Sequence, residues 1–159
     1  MRMRVRVLPV ALFAALGCQQ NVTVPKVQED PVSIVLSVSS TKLSAGQADT
    51  LRVVVKNNLT NAVRVIFPTS CQVFFTVRSQ AGDVVTPRNG RPLCLPATSQ
   101  LNLLVGGTQT FTTIWTGGYD FKPPDTSDRV PPGFYFVSAA LVANGYSTVA
   151  PAYKVEIAP

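Results

Sequence analysis

The side chains of this 159-residue chain best suited to chemistry are three cysteines, Cys18, Cys71 and Cys94, because the chain contains no histidine. Histidine is the commonest general base and the usual partner of a serine or cysteine nucleophile, so a triad of that kind has no base here. The carboxylates do not replace it. Glu29, Asp30, Asp49, Asp83, Asp120, Asp125, Asp128 and Glu156 fall beside turn residues or in loop-like stretches, and no spacing pairs two of them for acid–base work. Without histidine or a Cys-x-x-Cys pair there is no zinc-type ligand set. Asp120, Asp125 and Asp128 cluster between Gly117 and Gly133, but they lack the alternate spacing and closing glutamate of a calcium loop and read as a solvated turn. The expectation is a protein that is not an enzyme and uses no metal and no cofactor.

The first cysteine follows a recognisable leader. Arg2, Arg4 and Arg6 precede an apolar run from Val7 to Leu16, the layout of a secretory signal peptide. A membrane span needs about twenty apolar residues, and this run is shorter. Ala14-Ala15-Leu16-Gly17-Cys18 resembles the lipobox of bacterial lipoproteins, with Ala15 and Leu16 in reverse of the usual order. The resemblance implies cleavage before Cys18 and a diacylglyceryl group on its sulfur, so residues 1–17 are a lipoprotein signal peptide and Cys18 is the lipidation site. The chain is then exported and held on the bacterial cell envelope through a lipid anchor in the membrane. Gln19, where an aspartate signals inner-membrane retention, leans the address toward the outer membrane of a Gram-negative host. The alternative is a soluble secreted protein, since Ala15-Leu16-Gly17 also fits ordinary signal peptidase.

Acylation of Cys18 would account for the odd cysteine. Cys71 and Cys94 then remain as one pair in an oxidising compartment, where a disulfide is the default and two buried free thiols are the alternative.

Losing the leader also changes the charge. The formal +6 includes Arg2, Arg4 and Arg6, and the mature chain carries 11 basic against 8 acidic residues, a balance of +3. Its bases are scattered singly, whereas a nucleic-acid partner requires a clustered basic face. Nucleic acid is excluded on that ground. Asn21-Val22-Thr23 and Asn58-Leu59-Thr60 have the form of glycosylation sequons, relevant only in a eukaryotic secretory route.

Residues 18–31 are polar, carry Pro25 and Pro31 and show no period, which reads as a flexible tether. Residues 32–159 form one domain with a period of two. Val32, Ile34, Leu36 and Val38 alternate with polar residues, as do Leu51, Val53 and Val55, and Val63, Val65 and Phe67. Val73, Phe75 and Val77 follow, then Leu101 and Leu103, then Phe111, Thr113 and Trp115, with Tyr153, Val155 and Ile157 at the end. Phe134 to Val142 is apolar on both faces and is expected deep in a sheet. Turn residues such as Asn57-Asn58, Gly82-Asp83, Asn89-Gly90 and Asn144-Gly145 separate the runs, and no stretch has a helical period. The pattern predicts an all-β chain folded as an immunoglobulin-like antiparallel β-sandwich, with a closed barrel as the alternative.

Several segments fall in the order seen in BsuPI-type intracellular proteinase inhibitors. They are Leu43-Ser44-Ala45-Gly46-Gln47, Val55-Lys56-Asn57, Phe67-Pro68-Thr69-Ser70, Gly82-Asp83-Val84-Val85, Trp115 and Pro132-Gly133-Phe134-Tyr135. The chain resembles that family from about Lys42 to Val142. Thr86-Pro87-Arg88 stands where the family tends to carry a tryptophan, and an export signal with a cysteine pair departs from an intracellular inhibitor. The resemblance implies an immunoglobulin-like sandwich and a protein partner that is a protease.

Two segments are candidates for recognition. The loop from Gly117 to Gly133 carries Tyr119, Phe121, Lys122 and Arg129 and is stiffened by four prolines, although an irregular crossover also explains it. Arg91-Pro92-Leu93-Cys94-Leu95-Pro96 is the second, and there the simpler expectation packs Leu93 and Leu95 at a strand edge. The functional expectation is a lipid-anchored cell-envelope binding module resembling a proteinase inhibitor. The alternatives are a structural or adaptor lipoprotein without inhibitory activity and a carrier of a small apolar ligand.

Overall fold

The computed structural model describes residues 30–44, 46–121 and 128–159. The leader, Cys18 and nearly all of the tether lie outside the described residues, as do Lys122 and Asp125. Every run of alternating residues becomes a strand, and no helix occurs among the described residues.

In chain order the strands are β1 (Val32–Val38), β2 (Lys42–Leu43), β3 (Asp49–Asn57), β4 (Val63–Phe67), β5 (Val73–Ser79) and β6 (Val84–Thr86). They continue as β7 (Ser99–Leu103), β8 (Thr108–Trp115), β9 (Gly133–Ala143), β10 (Tyr146–Val149) and β11 (Tyr153–Ile157). One sheet has the order β1-β3-β8, and the larger one has the order β2-β11-β9-β5-β6, with β10 also on β9. β4 and β7 form a separate antiparallel pair. The chain is therefore all-β and folds as a β-sandwich of open sheets, not as a closed barrel.

The core follows from the period of two. Leu36, Leu51, Val53 and Val55 on the first sheet are buried together with Val77, Val137, Leu141 and Val155 on the second. Val35 and Ile114 point outward at 62% and 52% exposure. Trp115 is completely buried, and its ring stands edge-on to Tyr135 with centroids 6.0 Å apart. The Tyr135 hydroxyl donates to the carbonyl of Pro131 at 2.6 Å, four residues upstream, in the manner of the tyrosine corner of immunoglobulin-like sandwiches.

β9 corrects one expectation. It is central in its sheet, flanked by β5 on one edge and by β11 and β10 on the other. Only one of its faces is buried, however, by Tyr135, Val137, Ala139 and Leu141. Phe134 and Val142 on the other face are 41% and 39% exposed, because no further layer covers it. The Lys154 ammonium sits 3.7 Å from the centroid of the Phe134 ring and shields it in part.

The chain crosses from one sheet to the other between β1 and β2. Asp49 fixes that crossing from a fully buried position. Its Oδ1 accepts from the amide of Ser39 at 2.8 Å, the hydroxyl of Ser39 at 2.5 Å and the amide of Ser40 at 3.1 Å. β2 then runs parallel to β11, with Lys42 beside Glu156 and Leu43 beside Ile157. At the other end of β3, buried Asn57 donates to the carbonyls of Asn61 and Leu104 and accepts from the amide of Leu59, so both neighbouring turns hang on one side chain.

Candidate recognition site

β6 is only three residues long and pairs with β5 at Val77 and Arg78, leaving Val73–Thr76 of β5 with β9 as their single strand neighbour. From the end of β6 the chain does not form another strand. It passes through a cis Thr86–Pro87 bond, turns with Gly90 donating to the Pro87 carbonyl at 2.8 Å, and runs on to Pro96. Gly90 has φ +69°, where a side chain would be strained.

Cys94 is joined to Cys71 by a disulfide, with Cα atoms 5.5 Å apart and 23 residues of sequence separation. The pairing expected of these cysteines is thus present. Next to it the Ser70 amide donates to the Leu95 carbonyl at 3.1 Å, and the Leu95 amide donates to the Ser70 hydroxyl at 2.9 Å. A third tie is the Ser99 hydroxyl donating to the Thr69 carbonyl at 2.7 Å. One covalent bond and two short polar contacts therefore hold Cys94 and Leu95 to the segment leading into β5.

The side chains on either side of that bond are not packed at a strand edge. Leu93 is 94% exposed and Leu95 70% exposed, which overturns the simpler expectation for this segment. The physical reason is the tie itself. With Cys94 turned in to meet Cys71 and both main-chain groups of Leu95 engaged by Ser70, the neighbouring leucines project away from the sandwich.

The other candidate loop is divided by the fold. Tyr119 and Phe121 are half-buried against the core, Phe121 standing edge-on to Phe75 at 6.2 Å. The Arg88 guanidinium lies 4.8 Å from the centroid of the Tyr119 ring and is ion-paired with Asp128. Arg129 faces elsewhere, into a pocket of about 160 Å³ with Gly46, Val130, Pro132 and Ile157. Tyr119, Phe121 and Arg129 therefore do not form one surface, and Lys122 lies outside the described residues.

Phe121 nevertheless joins the first segment. An open cleft of about 330 Å³ lies between Pro87, Asn89, Pro92 and Leu93 on one wall and Asp120 and Phe121 on the other. The two loops are locked together behind it. The carbonyl of Gly118 accepts from the Trp115 indole N–H at 2.9 Å and from the Thr86 hydroxyl at 2.7 Å, so it links the two sheets. The sequence assigns Arg88 and Ser70 no role of their own, and they stand only within Thr86-Pro87-Arg88 and Phe67-Pro68-Thr69-Ser70. Their signal was adjacency, Arg88 lying next to a buried proline and Ser70 next to the cysteine.

Among the described residues no cluster of three or more acidic, cysteine or histidine side chains could hold a metal ion. Asp128 is spent on Arg88 and Asp120 faces the cleft. Among these residues no helix is long and apolar enough to cross a membrane. The Asn58 amide of the second sequon donates to the Asp30 carbonyl at 3.2 Å, where the chain enters the sandwich.

No family model and no curated protein matches the chain. Among solved structures it is similar to an alkylpurine DNA glycosylase of Pseudomonas fluorescens bound to abasic-site DNA, at 14% identity and a TM-score of 0.48, over 82% of this chain and 31% of that one. A β-glucosidase of Erythrobacter marinus gives 15% identity and a TM-score of 0.48, over 80% of this chain and 15% of that one. The CARDB domain of a Pyrococcus furiosus protein, solved with di-metal ions, gives 14% identity and a TM-score of 0.42, over 80% of this chain and 87% of that one. The chain spans less than a third of the glycosylase and of the glucosidase.

Proposed function

We propose that this chain is a lipid-anchored protein of the bacterial cell envelope whose sandwich presents the segment from Arg91 to Pro96 to a protein partner, and that the partner is a protease. The leader and Cys18 supply the address, and the polar stretch that follows lets the domain stand clear of the headgroups. The observation that carries the recognition part is the pair of exposed leucines flanking a disulfide-held cysteine. An apolar side chain left in water forgoes about 2 kcal/mol of burial. A partner that covers it recovers that amount, and a loop already fixed loses little entropy on docking.

The protease assignment rests on the BsuPI-type resemblance together with the form of the loop. The space between the sheets is filled by Trp115, Phe67, Leu36 and Leu51, which favours a surface function over carriage of a small apolar ligand. A panel of serine proteases assayed with the purified protein tests the reading. At least one is expected to be slowed at a near-stoichiometric ratio. Full activity of every enzyme in the panel would remove the inhibitory reading and leave the structural or adaptor lipoprotein, for which crosslinking in cells should trap an envelope component.

A further inference from the structure

We infer that Leu93 is the side chain that enters the partner, filling the apolar specificity pocket of a serine endoprotease that prefers large aliphatic or aromatic residues. This rests on the inhibitory reading proposed above and assigns its residue and its enzyme class.

Leu93 stands at 94% exposure, ahead of Leu104 at 77% and Leu95 at 70%. Leu104 lies in the turn between β7 and β8, where its own carbonyl accepts from Gly107 and Asn57. The Leu93 side chain has no such local task. Among the described residues no backbone–backbone hydrogen bond involves Arg91, Pro92 or Leu93, and the Leu93 carbonyl lies 3.8 Å from the Cys71 sulfur, which in the disulfide has no proton to donate. A segment outside the strands whose Arg91 and Leu93 amides make no backbone–backbone bond can pair with the edge of an active-site cleft by strand addition, while alternate side chains fill pockets.

The residues after Leu93 are held as firmly as Leu93 is free. Cys94 is fixed by its disulfide and Leu95 at both main-chain groups by Ser70, and Pro92 and Pro96 restrict the backbone on either side. The arrangement is a projecting leucine on a rigid support, which enters a pocket with little loss of freedom. The chemistry of that side chain selects the enzyme. A hydrophobic slot accepts leucine, whereas a pocket with an aspartate at its base requires arginine or lysine.

The experiment uses chymotrypsin, subtilisin and trypsin as probes, with the wild-type protein and the variants Leu93→Ala, Leu93→Arg and Leu95→Ala. Because Leu93 is exposed, its substitution leaves the core intact, and unchanged thermal unfolding of each variant checks this. The wild type should inhibit chymotrypsin or subtilisin and spare trypsin. Leu93→Ala should weaken inhibition by about 30-fold or more, as a central hot-spot residue does. Leu93→Arg should move inhibition to trypsin, and Leu95→Ala should change little. Inhibition by the wild type that survives both Leu93 substitutions, or that is lost on Leu95→Ala instead, would overturn this assignment while leaving the inhibitory reading in place. Failure of the wild type against all three probes would overturn the assignment of enzyme class, and the wider panel above then decides the reading beneath it.

Discussion

Ser70 holds both main-chain groups of Leu95, its amide donating to the Leu95 carbonyl at 3.1 Å and its hydroxyl accepting from the Leu95 amide at 2.9 Å. With the Cys71–Cys94 bond beside it, this contact makes the end of an irregular segment as fixed as a strand. A hydroxyl and a disulfide here do the work that a ladder does in the sheets. The outcome is a rigid base from which Leu93 projects.

Removing the disulfide should therefore affect stability and loop order together. Cys71→Ala with Cys94→Ala releases a closed loop and should cost about 3 kcal/mol, read from urea unfolding. Intact mass should rise by two hydrogens on reduction of the wild type. A mass unchanged by reduction would contradict the pairing.

Asp49 is the polar residue on which the crossing between sheets depends. Asp49→Ala leaves the amides of Ser39 and Ser40 without their acceptor and should destabilise by about 3 kcal/mol. Asp49→Asn keeps an oxygen in that place and should cost about half as much. Equal losses would show that the negative charge, not the acceptor geometry, matters.

Tyr135 gives a pH signature. Burial, then the nearby Tyr119, push its hydroxyl above the ordinary value of 10.0. A folded-state value above the unfolded one means that the folded chain holds the proton more tightly. The resulting stability is complete below pH 10 and is lost as pH rises through the folded value. Tyr135→Phe should cost about 1 kcal/mol at neutral pH through the lost bond to Pro131. The gap between variant and wild type should close as pH is raised past 10. A gap independent of pH would contradict the buried hydrogen bond.

Cys18→Ala tests the address. The variant should escape processing by lipoprotein signal peptidase and lose the acyl mass, whereas the wild type partitions with membranes. Identical maturation and partitioning of the two would refute lipidation.

The longer strands were legible because an alternating pattern over five or more residues has no other simple reading. β2, β6 and β10 were not, at two, three and four residues, since their pairing is fixed from outside. β2 is placed by the Asp49 contacts and by Lys42 facing Glu156 at 3.3 Å. The exposed face of β9 was misread because an apolar run does not reveal whether a further layer covers it. The site was legible only in part. Cys71 and Cys94 could be paired on grounds of compartment and count, but the outward direction of Leu93 depends on Ser70 engaging Leu95 from 25 residues away. Tyr119, Phe121 and Arg129 looked like one loop in sequence, and the Arg88 contacts with Tyr119 and Asp128 show why they separate.

The most direct measurement of the central claim is a titration of chymotrypsin or subtilisin with the oxidised protein, reading residual activity against added equivalents. A straight fall to an end point near one equivalent is expected, and it should disappear in the Leu93→Ala variant. Activity that stays flat in about tenfold excess of wild-type protein for both enzymes would contradict that claim.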